Sequence, residues 1–381
     1  MGLSSDDGVM QSTARQVGVE HLLPSPEPVR LLDEHGTQVL PSSARRDYVM
    51  PTPERLRAVW RAMVIGRRLD AQSTALTKQG RLAVYPSARG QEACQVAPVL
   101  SLGPGDWLFP TYRESMALFT RGIDEVEVLS LLRGDRHCGY DPMRHRTAAQ
   151  CTPLATQLPH AAGAAYGMKR RGEDGVALAF VGDGGTSEGD FHEGLNFAAV
   201  FGAPVVFFVQ NNNYAISVPL SKQTKAPSLA YKGIGYGISS EQVDGNDAAA
   251  VLSVMDVALA HCRSGNGPFL IEAHTYRMEA HTNADDATRY RTGEEVSTWI
   301  SRDPVTRLEA WLRERGVIDD ETVAAVQAEA EEQAASLRDR MHDDATLRPM
   351  SLFDNVFATP TPQVRAAEAM VRAESEAGEQ A

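Results

Sequence analysis

Two short apolar runs, Val176–Val181 and Val205–Val209, constrain the fold of this chain more than any other feature. Each is a continuous stretch of aliphatic and aromatic residues, of the kind that becomes a parallel strand buried on both faces. Between them Phe191, Leu195, Ala198, Ala199 and Phe201 recur at helical spacing from Glu188 to Phe201, and Pro204 restarts the chain. Strand, helix and strand of this length make a βαβ unit, because parallel neighbours need a crossover of a dozen or more residues. Such crossovers are right-handed by strong rule. The spacing predicts an α/β fold with a mainly parallel central sheet flanked by helices.

The rest of the chain arranges itself around that unit. Residues 1–50 are polar and punctuated by Pro24, Pro26, Pro28 and Pro41, which predicts an extended N-terminal arm, disordered at its start. Thr52-Pro53-Glu54 opens a helix with Leu56, Val59, Trp60, Met63 and Val64 on one face. The small residues Ala161–Ala165 suit a helix packed closely on a neighbour. A third apolar run, Phe269–Ile271, follows Pro268, while 216–230, rich in Ser, Pro and Lys, reads as loop. Beyond Asp303 the pattern is helical and charged through Arg340, then a Pro-punctuated tail. The expected division is an arm over 1–50, an α/β domain over 51–300 and a helical C-terminal region and tail over 301–381.

Composition narrows the partners. The formal net charge is −13, which disfavours nucleic acid and anionic membranes, since both would repel it. No stretch approaches the roughly 18 apolar residues of a membrane span. The first 20 residues have no apolar core and carry Asp6, Asp7 and Glu20, so neither a secretory signal nor an acid-poor transit peptide is expected. Cys94, Cys138, Cys151 and Cys262 are dispersed, with no metal or disulfide spacing, as expected of reduced thiols in the cytoplasm.

The chemistry sits at the ends of the two central strands. Gly182-Asp183-Gly184-Gly185 follows the first and Gln210-Asn211-Asn212-Asn213 the second. In parallel α/β sheets ligands bind outside the carboxyl ends of the strands. Glycines allow a diphosphate close to the backbone, and a helix start at Thr186-Ser187-Glu188 would offer it amide donors. The Asp183 carboxylate and the Asn212 carbonyl oxygen are hard ligands suited to Mg2+. They lie 212 − 183 = 29 positions apart, one helical crossover. Either motif alone is usually just a turn. Together, at two strand tips joined by one helix, they are specific.

The segment from Gly182 to Ala199, followed by Phe207 to Ser217, resembles the thiamine-diphosphate motif, and more narrowly the alpha subunits of 2-oxo acid dehydrogenase complexes. The resemblance runs from about Val29 to Glu374. It implies a thiamine-diphosphate-binding fold, with Mg2+ held by Asp183, Asn212 and the carbonyl of Tyr214. Pro110-Thr-Tyr-Arg-Glu114 matches the family, implying diphosphate contacts from Tyr112 and Arg113; Gly182, Gly184, Gly185 and Gln210 join them, although some relatives have arginine where Gln210 stands. Thr152 and Leu154 would lie against the cofactor rings, Leu154 wedging them into a bent shape. The backbone of Cys151, with Thr156 and Gln157, matches a K+ site of the branched-chain subgroup. His281, in Arg277-Met-Glu-Ala-His281, would be the catalytic histidine, suited to proton steering because histidine changes charge near neutral pH. Asp285, Tyr290 and Arg291 would order its loop. Asn213 replaces the family's usual glycine; asparagine tolerates left-handed backbone, so the turn should survive. His192 reads as structural.

What the resemblance implies is oxidative decarboxylation of a 2-oxo acid, with acyl transfer to a lipoyl-bearing acyltransferase component. Gln150–Gln157 favours branched-chain substrates such as 3-methyl-2-oxobutanoate; pyruvate is the alternative. The glutamate that activates the cofactor's aminopyrimidine comes from a second domain, and this chain has one α/β domain. That implies a separate beta subunit and a heterotetramer of two of each. A silent regulatory subunit is disfavoured by intact Asp183, Asn212, Arg113 and His281. A phosphatase using Asp183 as nucleophile lacks the second aspartate, since Gly185 stands there.

Overall fold

The computed structural model describes residues 18–134, 138–341, 349–354 and 356–379. The strands are β1 (Trp107–Phe109), β2 (Ala177–Gly182), β3 (Val205–Asn211), β4 (Tyr214–Ala215), β5 (Val218–Pro219), β6 (Ser239–Asp244) and β7 (Phe269–His274). The main helices of the first half are α1 (Pro53–Lys78), α2 (Glu92–Leu100), α3 (Ser115–Thr120), α4 (Glu125–Arg133), α5 (Pro142–His145), α6 (Gln157–Arg171) and α7 (Gly189–Phe201). The second half has α8 (Ala248–Arg263), α9 (Gly293–Ile300), α10 (Pro304–Glu314), α11 (Asp320–Arg340) and α12 (Pro362–Glu379).

The central sheet is parallel throughout, in the order β1-β2-β3-β7-β6. Alternate side chains of β2 and β3 enter different cores, as the two-residue period of a strand requires. Ala177, Ala179, Val181, Val205, Phe207 and Val209 pack with Leu158, Ala161, Ala165, Phe191 and Leu195 of α6 and α7. Leu178, Phe180, Val206 and Phe208 face the other way, toward Ala93 and Val96 of α2 and Val251, Leu252 and Met255 of α8. The result is a helix, sheet, helix sandwich. The α6–α7 contact is close: a Cβ on Gly194 would stand 3.0 Å from the Leu158 carbonyl carbon and the Pro159 nitrogen. Helices α10 and α11 close over α1, with Leu308 and Trp311 in the core that holds Trp60, and Ala330, Ala334 and Leu337 packed with Leu69 and Leu76.

Strand β6 escapes the sequence pattern. β6 reads Ser-Ser-Glu-Gln-Val-Asp, which resembles a loop, yet Ser239–Val243 are buried. Its polar groups are paired instead of solvated: Glu241 accepts from the Ser25 amide (2.6 Å), the Tyr48 hydroxyl (2.6 Å) and Arg46 (3.1 Å). Every one of those donors comes from the N-terminal arm. The arm is thus tied down over its described part, and Val29 adds a short parallel bridge to the free edge of β6. Its start, over 1–17, lies outside the described residues. The segment 216–230 is not all loop, since 214–219 forms the β4–β5 hairpin, and α12 occupies the Pro-punctuated tail. The α1 start is where the sequence puts it, Thr52 accepting from the Arg55 amide. All four cysteines are free, and no helix among the described residues is long and apolar enough to cross a membrane.

Candidate active site

The carboxyl ends of β1, β2, β3 and β7 open on one cavity of about 520 Å³. It is lined by Tyr112, Arg113 and Glu114 after β1; Gly182–Gly185 after β2; Gln210, Asn212 and Tyr214 after β3; and Arg277 and His281 after β7. Thr152 and Leu154 face it from the loop before α6. In-register pairing of Gly182 with Gln210 brings Asp183 and Asn212 side by side. Both are buried, and the backbone NH of Asn212 is among the groups that draw the Asp183 pKa down.

The β2 loop differs in one respect from expectation. Gly184–Ser187 forms a 3-10 turn and α7 begins only at Gly189. The Thr186 and Glu188 amides are consumed in that turn, bonding to the carbonyls of Asp183 and Gly185 at 3.1 Å each. They are therefore not offered to an anion. What the loop offers is space: a Cβ on Gly182 would meet nothing within 4 Å, whereas one on Gly184 or Gly185 would stand 2.6 Å from Ala215 or Val181. Asn213 holds φ 70 at the next turn, the left-handed geometry asparagine tolerates. Ile216 at φ 56 is rarer, because a β-branched residue is strained there. Its carbonyl accepts from Arg277 at 3.0 Å.

Electrostatics separate the two sides of the cavity. Burial pushes the Asp183 carboxyl above the usual range, and the Gln223 amide at 2.7 Å draws it back. A divalent cation would offset that burial. Opposite, Arg113 donates to the Ser87 carbonyl (2.8 Å), to His281 Nδ1 (3.0 Å) and to the His281 carbonyl (3.1 Å). Arg277 reaches the same Nδ1 at 3.1 Å. Guanidinium groups only donate, so Nδ1 must be the acceptor and the neutral ring carries its proton on Nε2. Burial first, then the two arginines, push the His281 pKa down to about 4. The ring is neutral at pH 7, so a charge switch near neutrality is not available to it in this setting. Its loop is fixed by Asp285, which accepts from the His281 amide (2.8 Å) and the Tyr290 hydroxyl, and by Arg291, which bonds the carbonyls of Arg277 and Met278.

A family model for the dehydrogenase E1 component matches residues 60–349. The chain belongs to the dehydrogenase E1 component family. This E1 chain is similar to the 3-methyl-2-oxobutanoate dehydrogenase subunit alpha of Mycobacterium tuberculosis (strain ATCC 25618 / H37Rv), at 45% identity over 91% of this chain and 94% of the relative. It is also similar to the pyruvate dehydrogenase E1 component subunit alpha of Staphylococcus aureus (strain Mu50 / ATCC 700699), at 41% identity over 81% and 83% respectively. Membership implies thiamine diphosphate as cofactor.

Around the cavity of this E1 chain stand further residues that sequence reasoning passed over: Gln91, Glu114, Gln223 and Arg277. Arg277 and Glu114 sit inside motifs already singled out, and only their contacts reveal them. Gln223 lies in a Ser- and Lys-rich loop with no signal. Away from the cavity, His192 Nδ1 meets the Tyr236 hydroxyl at 2.7 Å, a structural contact. Thr156 donates to Asp190 at 3.0 Å, and Gln157 gives its amide to the Phe180 carbonyl, leaving its buried Oε1 without a partner. Burial raises the Cys151 thiol, which keeps it an unreactive neighbour.

Proposed function

We propose that this chain is the alpha subunit of a branched-chain 2-oxo acid dehydrogenase. It oxidatively decarboxylates 3-methyl-2-oxobutanoate and related acids, with acyl transfer to a lipoyl group of an acyltransferase component. The observation that carries the reading is that Asp183 and Asn212, each just past the end of one of two adjacent strands, line one cavity with Arg113 and His281. The substrate class rests on the alpha subunit of 3-methyl-2-oxobutanoate dehydrogenase, similar over nearly the whole chain.

The donor set fits the cofactor and its metal. Asp183, the Oδ1 of Asn212 and the carbonyl of Tyr214 would hold Mg2+, a set of hard oxygens. Arg113, with Tyr112 and Gln210 beside it and the open face of Gly182, would receive the diphosphate. Leu154, 44% exposed and lining the cavity, would support the bent rings beside Thr152. Bound thiamine diphosphate would supply the carbanion that adds to the 2-oxo carbon and accepts the electrons left when carbon dioxide departs. His281 keeps its proton on Nε2 and donates it in a hydrogen bond to a substrate oxygen, while the two arginines lock the ring's orientation. The orphan Oε1 of Gln157, with Thr156 and the Cys151 carbonyl, would hold K+. A beta subunit completes the site in a heterotetramer of two of each chain, in the cytoplasm.

Reconstitution with the beta subunit tests the reading. Higher kcat/KM on 3-methyl-2-oxobutanoate than on pyruvate is expected, together with Mg2+-dependent thiamine diphosphate binding by calorimetry. A preference for pyruvate would assign the alternative substrate, in line with the Staphylococcus relative.

A further inference from the structure

Behind Asn212 three more polar side chains stand in line, all buried. Asn212 Nδ2 donates to Gln91 Oε1 at 3.1 Å, Gln91 Nε2 donates to Gln210 Oε1 at 2.9 Å, and Gln210 Nε2 donates to Glu114 Oε1 at 2.8 Å. Glu114 is 1% exposed and its other oxygen takes the Thr111 amide. We propose that Glu114 is a positioning residue which, through Gln210 and Gln91, fixes the end of the Asn212 carboxamide that faces the metal. The proposal rests on the reading of Asn212 as a magnesium ligand.

The two ends of a carboxamide have nearly the same shape, so hydrogen-bond partners decide which end points where. Burial raises the Glu114 carboxyl while the Thr111 amide, Gln210 and Arg113 draw it back; as a carboxylate it can only accept, so Gln210 must turn its Nε2 toward it. That leaves Gln210 with only an oxygen for Gln91, and Gln91 with only an oxygen for Asn212. Each amide passes the same direction to the next. Asn212 must therefore spend its Nδ2 on Gln91, leaving Oδ1, which also takes the Tyr214 amide at 3.3 Å. Turned the other way, Asn212 would present an NH2 group with no lone pair for a cation. An arginine at 210 could not relay the direction, because it has no acceptor. No charge moves along the line; it conveys orientation only.

The test reverses the polarity. In the assembled enzyme with its beta subunit, calorimetry gives the Mg2+ concentration for half-maximal thiamine diphosphate binding, and thermal melting confirms folding. Glu114→Gln, whose oxygen stays on the Thr111 amide and whose NH2 therefore turns toward Gln210 and reverses the line, should raise that concentration about tenfold, as loss of a group supporting a metal ligand does. Asn212→Asp should raise it too, because its carboxylate meets the oxygen of Gln91. Combining them should restore binding relative to Asn212→Asp alone: the amide introduced by Glu114→Gln then donates to Gln210, Gln210 to Gln91, and Gln91 to the new carboxylate. A double variant worse than Asn212→Asp, or no effect of Glu114→Gln, overturns the proposal. An unchanged Mg2+ requirement in Asn212→Ala instead sinks the ligand reading itself. Should Glu114→Gln not fold, Gln91→Met breaks the line at its other end. It should raise the Mg2+ requirement more than it weakens cofactor binding at saturating Mg2+; the reverse overturns the proposal.

Discussion

Arg113 donates to Nδ1 of His281 at 3.0 Å, a contact that fixes the ring's tautomer and, second to burial, keeps it uncharged. The same guanidinium is the leading candidate to meet the cofactor's diphosphate. The histidine is thereby coupled to the occupancy of the phosphate site: as long as Arg113 carries an uncompensated charge, protonating His281 is unfavourable.

Binding thiamine diphosphate should therefore raise the His281 pKa from about 4. Histidine-selective NMR titration of the chain with and without cofactor measures this. A ring that titrates alike in both states would disconnect Arg113 from the diphosphate. The sign for stability follows from linkage. The folded pKa lies below the ordinary value of 6.5, so the unfolded chain binds the proton more readily. His281 costs nothing above pH 6.5 and becomes progressively destabilising as pH falls toward 4. His281→Asn should flatten the melting temperature over that window.

Gly182→Ala separates folding from binding. Its Cβ has open space and the residue needs no positive φ, so stability should change by no more than about 0.5 kcal/mol. The methyl group would nonetheless enter the cavity wall, and thiamine diphosphate affinity should fall by about tenfold or more, about 1.4 kcal/mol. A large drop in melting temperature, or unchanged affinity, contradicts this account.

Asp183→Asn should exchange function for stability. Burial makes the charged carboxylate unfavourable in the cofactor-free chain, as its raised pKa indicates. A neutral amide relieves that cost, so the variant should melt higher than the parent at pH 7 without cofactor, yet bind thiamine diphosphate without Mg2+ dependence or not at all. A lower melting temperature would count against burial as the dominant influence.

Glu241→Ala should release the N-terminal arm. Loss of the carboxylate leaves Arg46, Tyr48 and Ser25 without their shared acceptor. Breaking such a buried pair costs about 3–5 kcal/mol. Limited proteolysis should then cut within 18–48 while the sheet survives; continued resistance would mean the arm is held by packing alone.

K+ should stabilise the chain relative to choline through Gln157. The expected gain is about 1.4 kcal/mol at a concentration tenfold above the dissociation constant. Gln157→Met, which removes the unpartnered oxygen, should abolish the difference. An equal response in both proteins would leave the K+ site without support.

Local signals alone determined the central βαβ unit, the α1 start and the two loops at the strand tips, because apolar runs, a helix-opening Thr-Pro-Glu and loop glycines and asparagines are read without distant partners. Asp183 and Asn212 were legible for the same reason: each ends a readable strand. β6 was not, because its burial depends on an acceptor, Glu241, whose partners lie 193 to 216 positions away. Nor was the state of His281, for no local rule says that arginines 168 and 4 positions distant converge on one ring nitrogen. The line from Glu114 to Asn212 was equally hidden, since it joins three separate segments. Sequence specifies which chemical groups the chain owns and which strand ends carry them. Only the tertiary structure decides their charge and direction, because those depend on burial and on hydrogen-bond partners brought together from far along the chain.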